Sequence, residues 1–182
     1  MNMRLTIILA TLLLAACQGS STVRDTAGAN RFIQLEGASI VLKQALDVAA
    51  GKARVFLQDG QVSAGFDSYR PHCAFEIKSV QHDGFVIAPD TFVISRVQTS
   101  LQQVVSAEPV RVAGLRLAAG AGLDGGGSAS YYEGYHFWLS SVTQPDVRRM
   151  SCFGVFAQPY DLYPPTVEEI GQALGGIAEI RR

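Results

Sequence analysis

The chain has 182 residues, 48% of them hydrophobic and 17% charged, with a formal net charge of −1. That composition fills one hydrophobic core and excludes a disordered chain. Its 15 Lys and Arg residues are scattered rather than gathered into a stripe, which argues against nucleic acid as a partner.

The first element is apolar. Residues 1–4 carry one arginine, residues 5–14 are uncharged and almost wholly apolar, and Ala15 and Ala16 follow. A spanning helix needs about 20 apolar residues, so this run is too short to cross a bilayer. A charged start, a short apolar middle and small residues at the end describe an export signal over residues 1–16 that is later removed. No second run of spanning length follows, so the mature chain is expected not to be an integral membrane protein. The order Leu14, Ala15, Ala16, Cys17 resembles the lipobox of bacterial lipoproteins. The resemblance implies a diacylglycerol on the sulfur of Cys17, cleavage just before it, and acylation of the new amine with a palmitate-like chain. Burial contributes ~0.8 kcal/mol per CH₂, so one chain binds marginally and two or more anchor stably. Within the resemblance the residue after the cysteine directs sorting. Gln18 is not the aspartate of inner-membrane retention, which implies the outer membrane and its periplasmic face. Beyond the lipobox, the domain resembles those of uncharacterised proteobacterial outer-membrane lipoproteins.

Residues 17–31 then read as lipidated cysteine and flexible tether. Gly, Ser, Thr and Ala dominate residues 18–30 without apolar periodicity. Fully extended, that segment would reach roughly 40–45 Å. A single β-rich domain is expected over residues 32–182.

Within that domain, short apolar stretches alternate with turn residues. Residues 40–50 suit either a helix or a strand and are read as strand. Residues 53–58 form a strand ended by the tight-turn pair Asp59 and Gly60. In residues 73–78, Cys73, Phe75 and Ile77 share one face while Glu76 and Lys78 share the other. His82, Asp83 and Gly84 mark a turn. Further strands are expected at residues 85–87, 91–98, 110–118, 131–141 and 148–157, with residues 119–130 a glycine-rich loop. Pro164 and Pro165 halt the chain before Thr166, and Glu169 three residues later completes a capping box. The helix so opened carries Ile170 and Leu174 on one face and stops at Gly175 and Gly176. Glu168 and Glu169 lie in its first turn, where the dipole favours them, a structural role rather than a catalytic carboxylate pair. The fold class is therefore mainly β (α+β): an antiparallel sheet, sandwich or partly open barrel with one C-terminal helix.

With Cys17 consumed by lipid, Cys73 and Cys152 remain as an even pair in an oxidising compartment. Both fall on the apolar side of their strands, and a disulfide between them is expected. A nucleophilic Cys73 activated by His72 is disfavoured, because neighbours on a strand point to opposite faces. Gly120, Gly122 and Gly125 fit G-x-G-x-x-G, yet no helix follows to receive a pyrophosphate. His72, His82 and His136 lack the spacing of a metal site, and no G-x-S-x-G elbow occurs. No cofactor or metal is therefore expected. The aromatic run at residues 131–138 places Tyr132, His136 and Trp138 on one side of a strand. Burial against another layer is its simplest role, and exposure in a groove would make the three a binding platform. The sequence thus reads as a lipid-anchored, non-catalytic binding or envelope-assembly module, its ligand an envelope protein, peptide, glycan or lipid. An envelope hydrolase with a dispersed active site is the alternative, distinguished by a histidine meeting Ser, Asp or Glu from another strand.

Overall fold

Period-two alternation of apolar residues produces strands that must cover one face, and here they pair into one long sheet. The computed structural model describes residues 20–26, 31–105 and 130–182. Its strands are β1 (Val23–Arg24), β2 (Phe32–Ile33), β3 (Ser39–Leu42), β4 (Leu46–Val48), β5 (Arg54–Gln58), β6 (Gln61–Ser63), β7 (His72–Ile77), β8 (Phe85–Ile87), β9 (Asp90–Val105), β10 (Ser130–Ser140), β11 (Val147–Phe153) and β12 (Ala178–Arg181). The helix α1 (Val167–Leu174) precedes β12. Eight strands run in the order β12-β3-β9-β10-β11-β7-β5-β6, and the sheet curls into a half-barrel. Every pairing is antiparallel. β1 with β2 and β4 with β8 form two small ribbons. Among the described residues the chain is mainly β with one helix, as its alternation predicts.

The inner face of the curl is the core. It carries Val55 and Leu57 from β5, Cys73, Phe75 and Ile77 from β7, and Met150 and Cys152 from β11. Tyr135 and Phe137 come from β10, Phe92, Ile94 and Val97 from β9, and Ile40 and Leu42 from β3. α1 lays Ile170, Ala173 and Leu174 into this core and touches β5, β7 and β12. Its start matches expectation: Thr166 accepts from the Glu169 amide (3.2 Å), and Glu169 accepts from the Thr166 amide (2.7 Å). Cys73 and Cys152 oppose one another across β7 and β11, Cα atoms 4.1 Å apart, and are joined by a disulfide.

The turn Asp59-Gly60 joins β5 to β6 with φ of +52° and +72°, left-handed at both positions as a tight hairpin requires. Gly60 also sits against Gly175 at the end of α1, where a Cβ on Gly175 would lie 2.3 Å from the Gly60 Cα. Only glycine at both places lets hairpin and helix touch. The β10–β11 turn is tied by Asp90, whose Oδ2 accepts from Ser141 Oγ (2.6 Å), Thr143 Oγ1 (2.5 Å) and Gln144 Nε2 (3.1 Å).

The structure alters several expectations. The ambiguous residues 40–50 contain two strands, β3 and β4, rather than one. β9 runs well beyond residue 98, and β11 ends at Phe153. β12 was not expected; it pairs with β3. The export signal expected over residues 1–16, Cys17, the strand expected at residues 110–118 and residues 119–129 of the glycine-rich loop lie outside the described residues, while Ser130 opens β10. The tether over residues 17–31 needs correction. Val23 is fully buried in the core, the Ser21 amide donates to the Val97 carbonyl (3.1 Å), and β1 pairs with β2. Apolar burial and edge hydrogen bonds outweigh the polar composition of this segment, so the described residues 20–26 belong to the fold, which is not confined to residues 32–182.

Candidate functional site

The outer face of the curled sheet is organised by register into cross-strand rows. One row reads Arg54, Glu76, Arg149, Trp138, Arg96 across β5, β7, β11, β10 and β9. The next reads Phe56, Ala74, Ser151, His136, Gln98, and a third reads His72, Phe153, Gly134, Ser100. Tyr132 follows opposite Gln102. Polarity therefore grades along the strands from arginines to aromatics. All six residues of β7 are buried, because this second face is partly covered too.

The cover is the segment between β6 and β7. Gln58 pins it, accepting from the Asp67 amide (2.8 Å) and donating to the carbonyls of Asp67 (3.0 Å) and Arg70 (3.2 Å). Arg70 adds an ion pair to Asp59 at 2.6 Å. So held, Phe66 stacks on His72 with centroids 3.7 Å apart and meets Phe56 at 5.0 Å and Tyr132 at 5.9 Å. A cleft of about 320 Å³ opens beside it, walled by Phe56, Phe66, His72, Tyr132 and Phe153, with Glu76 and Ser151 at its polar end. Arg54, Gln102 and Gln103 stand at its edge. Its size lies at the small end of ligand sites. A wider hollow of about 690 Å³ lies between β4–β5 and β6, but its lining is mostly alanine, glycine and exposed polar residues. The smaller cleft has the convergent polar groups that orient a ligand.

Behind the cleft runs a buried polar chain. Arg149 Nε donates to Glu76 Oε2 (2.9 Å), and Ser151 Oγ donates to Glu76 Oε1 (2.8 Å). His136 Nδ1 lies 2.8 Å from Ser151 Oγ. The serine has one proton and gives it to the carboxylate, so Nδ1–H of His136 is the donor to the hydroxyl. Burial, followed by the positive charge of Arg149, lowers the His136 pKa to about 4. Burial likewise lowers that of His72 to about 4. Both rings are neutral at neutral pH. In a nucleophilic triad the histidine stands between serine and carboxylate and accepts the serine proton. Here serine stands in the middle, and its proton already belongs to a carboxylate engaged by arginine.

The three aromatic-run residues share one strand face but lie in different surroundings. Tyr132 is buried and walls the cleft. His136 is buried in the polar chain. Trp138 is half-buried at the opposite end of β10, among arginines. Arg54, Phe66, Glu76, Ser151 and Phe153 were not singled out from sequence, since only strand register and the covering segment bring them together. Cys73 is consumed in the disulfide, and His72 faces the other way. Among the described residues no three His, Cys, Asp or Glu side chains gather closely enough to hold a metal ion. None of the described helices is long and apolar enough to cross a membrane.

No protein-family model, curated protein or solved structure matches this chain significantly.

Proposed function

We propose that the protein is a lipoprotein anchored through Cys17 to the periplasmic face of the outer membrane, and that its domain is a non-catalytic binding module. The observation that carries the binding role is the cleft: a stacked aromatic wall at one end, hydrogen-bonding and charged groups at the other. It suits a segment of an envelope protein, peptide, glycan or lipid that presents an apolar or ring face to Phe66 and Tyr132 and an acidic or amide group to Arg54. The disulfide supports an oxidising compartment, and the sequence at residues 14–17 supports the anchor. A photoreactive side chain in place of Phe66, crosslinked in cells and read by mass spectrometry, should capture a discrete adduct that Arg54→Glu abolishes. Adducts no different from those at Val142, which is 99% exposed, would reject the cleft as the site.

The hydrolase reading retains one observation in its favour, the contact of His136 with Ser151 at the cleft edge. A fluorophosphonate should leave Ser151 unlabelled. Labelling that disappears in Ser151→Ala would establish the enzyme instead.

A further inference from the structure

Trp138 lies under three guanidinium groups: Arg96 at 4.7 Å from its ring, Arg148 at 5.2 Å and Arg149 at 5.4 Å. Arg149 is neutralised by Glu76. Among the described residues Arg96 and Arg148 meet no carboxylate, and both are exposed. Two uncompensated cations flanking a half-buried tryptophan are concentrated on a chain whose net charge is −1. Tryptophan favours the membrane–water boundary, and a basic group near an anionic bilayer is attracted to it.

The placement of the N-terminal segment adds an independent observation. Ser21 is hydrogen-bonded along the edge of β9, its amide on the Val97 carbonyl (3.1 Å) and its Oγ accepting from the Thr99 amide (3.3 Å). Arg96 is the residue beside Val97 on that strand. Three residues lie between Cys17 and Ser21, so four Cα steps give a reach of at most about 14 Å. An acylated Cys17 therefore holds the β9 edge close to the lipid head groups, where a tether running to residue 31 would have held it clear of them.

We infer that the Arg96–Trp138–Arg148 cluster is a membrane-docking surface for anionic phospholipid head groups, beside the point where the anchor leaves the domain. It orients the domain on the bilayer, and it rests on the anchor reading proposed above. Trp138 is the only tryptophan in the chain, so its emission reports directly on the cluster. The experiment uses the full acylated protein, its acyl mass checked first, in vesicles of phosphatidylcholine with or without phosphatidylglycerol. Emission should move to shorter wavelength only when phosphatidylglycerol is present, be quenched when that lipid carries brominated chains, and revert in high salt. Arg96→Gln with Arg148→Gln should abolish the shift while the unfolding transition stays cooperative, and Arg148→Gln alone should reduce it. Equal emission from acylated protein in both vesicle types would overturn docking and leave the anchor standing. The same emission change with inorganic phosphate in solution would make the cluster a soluble-anion site and also overturn docking. A mature mass without acyl chains would overturn the anchor and the docking geometry together, before any fluorescence is read.

Discussion

Glu76 shows how one side chain joins two environments. It sits in the middle of β7 with Arg149 on one oxygen and Ser151 on the other, and through Ser151 it fixes the tautomer of His136. The neutral state of His136 and His72 has a consequence for stability. Their folded pKa values, about 4, lie below the ordinary value of 6.5 that the unfolded chain keeps. Above pH 6.5 both states are neutral and the full stability is present. As pH falls below that value the unfolded chain binds protons that the folded chain refuses, and stability declines until about pH 4. Each histidine contributes at most ~3 kcal/mol to this decline, less whatever screening and relaxation remove. Asp90 acts in a lower window. The hydroxyls of Ser141 and Thr143 hold it down to about 2, so its contribution is full above the ordinary value of 3.8 and is lost as pH falls from there to about 2. Thermal unfolding followed from neutral pH to pH 4 should show a falling midpoint. His72→Phe, which keeps the ring stack, should make the fall shallower. An unchanged slope would contradict the assignment.

At the level of elements, the disulfide joins β7 to β11 across a sequence separation of 79 residues. Closing a loop of that length stabilises by ~4–5 kcal/mol in the chain-entropy model. Cys73→Ala with Cys152→Ala, compared with the parent by denaturant titration, should lose most of that amount, and a loss under about 1 kcal/mol would contradict the estimate. β7, β10 and α1 were readable from sequence because each carries a local signal: strict alternation in the first, an aromatic run in the second, a capping box in the third. β1 and β12 were not, since two and four residues hold too little periodicity to separate strand from coil. Tyr132, His136 and Trp138 could be assigned to one face from alternation alone. That they would part into an aromatic wall, a polar chain and an arginine cluster depends on which residues lie opposite on β7, β9 and β11. That register is set by packing of the inner face. The cover was invisible for a further reason: Phe66 is placed by Gln58 from a neighbouring hairpin, through contacts that no periodicity encodes.

For the molecule as a whole, the half-barrel closes around one core, and the segment at residues 20–26 belongs to it. Val23 is fully buried, so Val23→Asp places an uncompensated charge in an apolar site. The variant should lose ~3 kcal/mol or more and become sensitive to protease under native conditions. Stability equal to that of the parent would return the segment to a tether. The two edges of the long sheet are short: three residues in β6 and four in β12. Charged Glu179, Arg181 and Arg182 stand at the latter, as expected of edges that must not recruit another chain.

The ion pair between Arg182 and Asp25, at 3.0 Å, brings residue 182 beside the segment at residues 20–26. Residues 25 and 182 therefore meet at one corner, and a short linker joining them would leave the described strand pairings in place. A fluorescent protein or epitope placed after residue 182 would emerge next to the segment at residues 20–26.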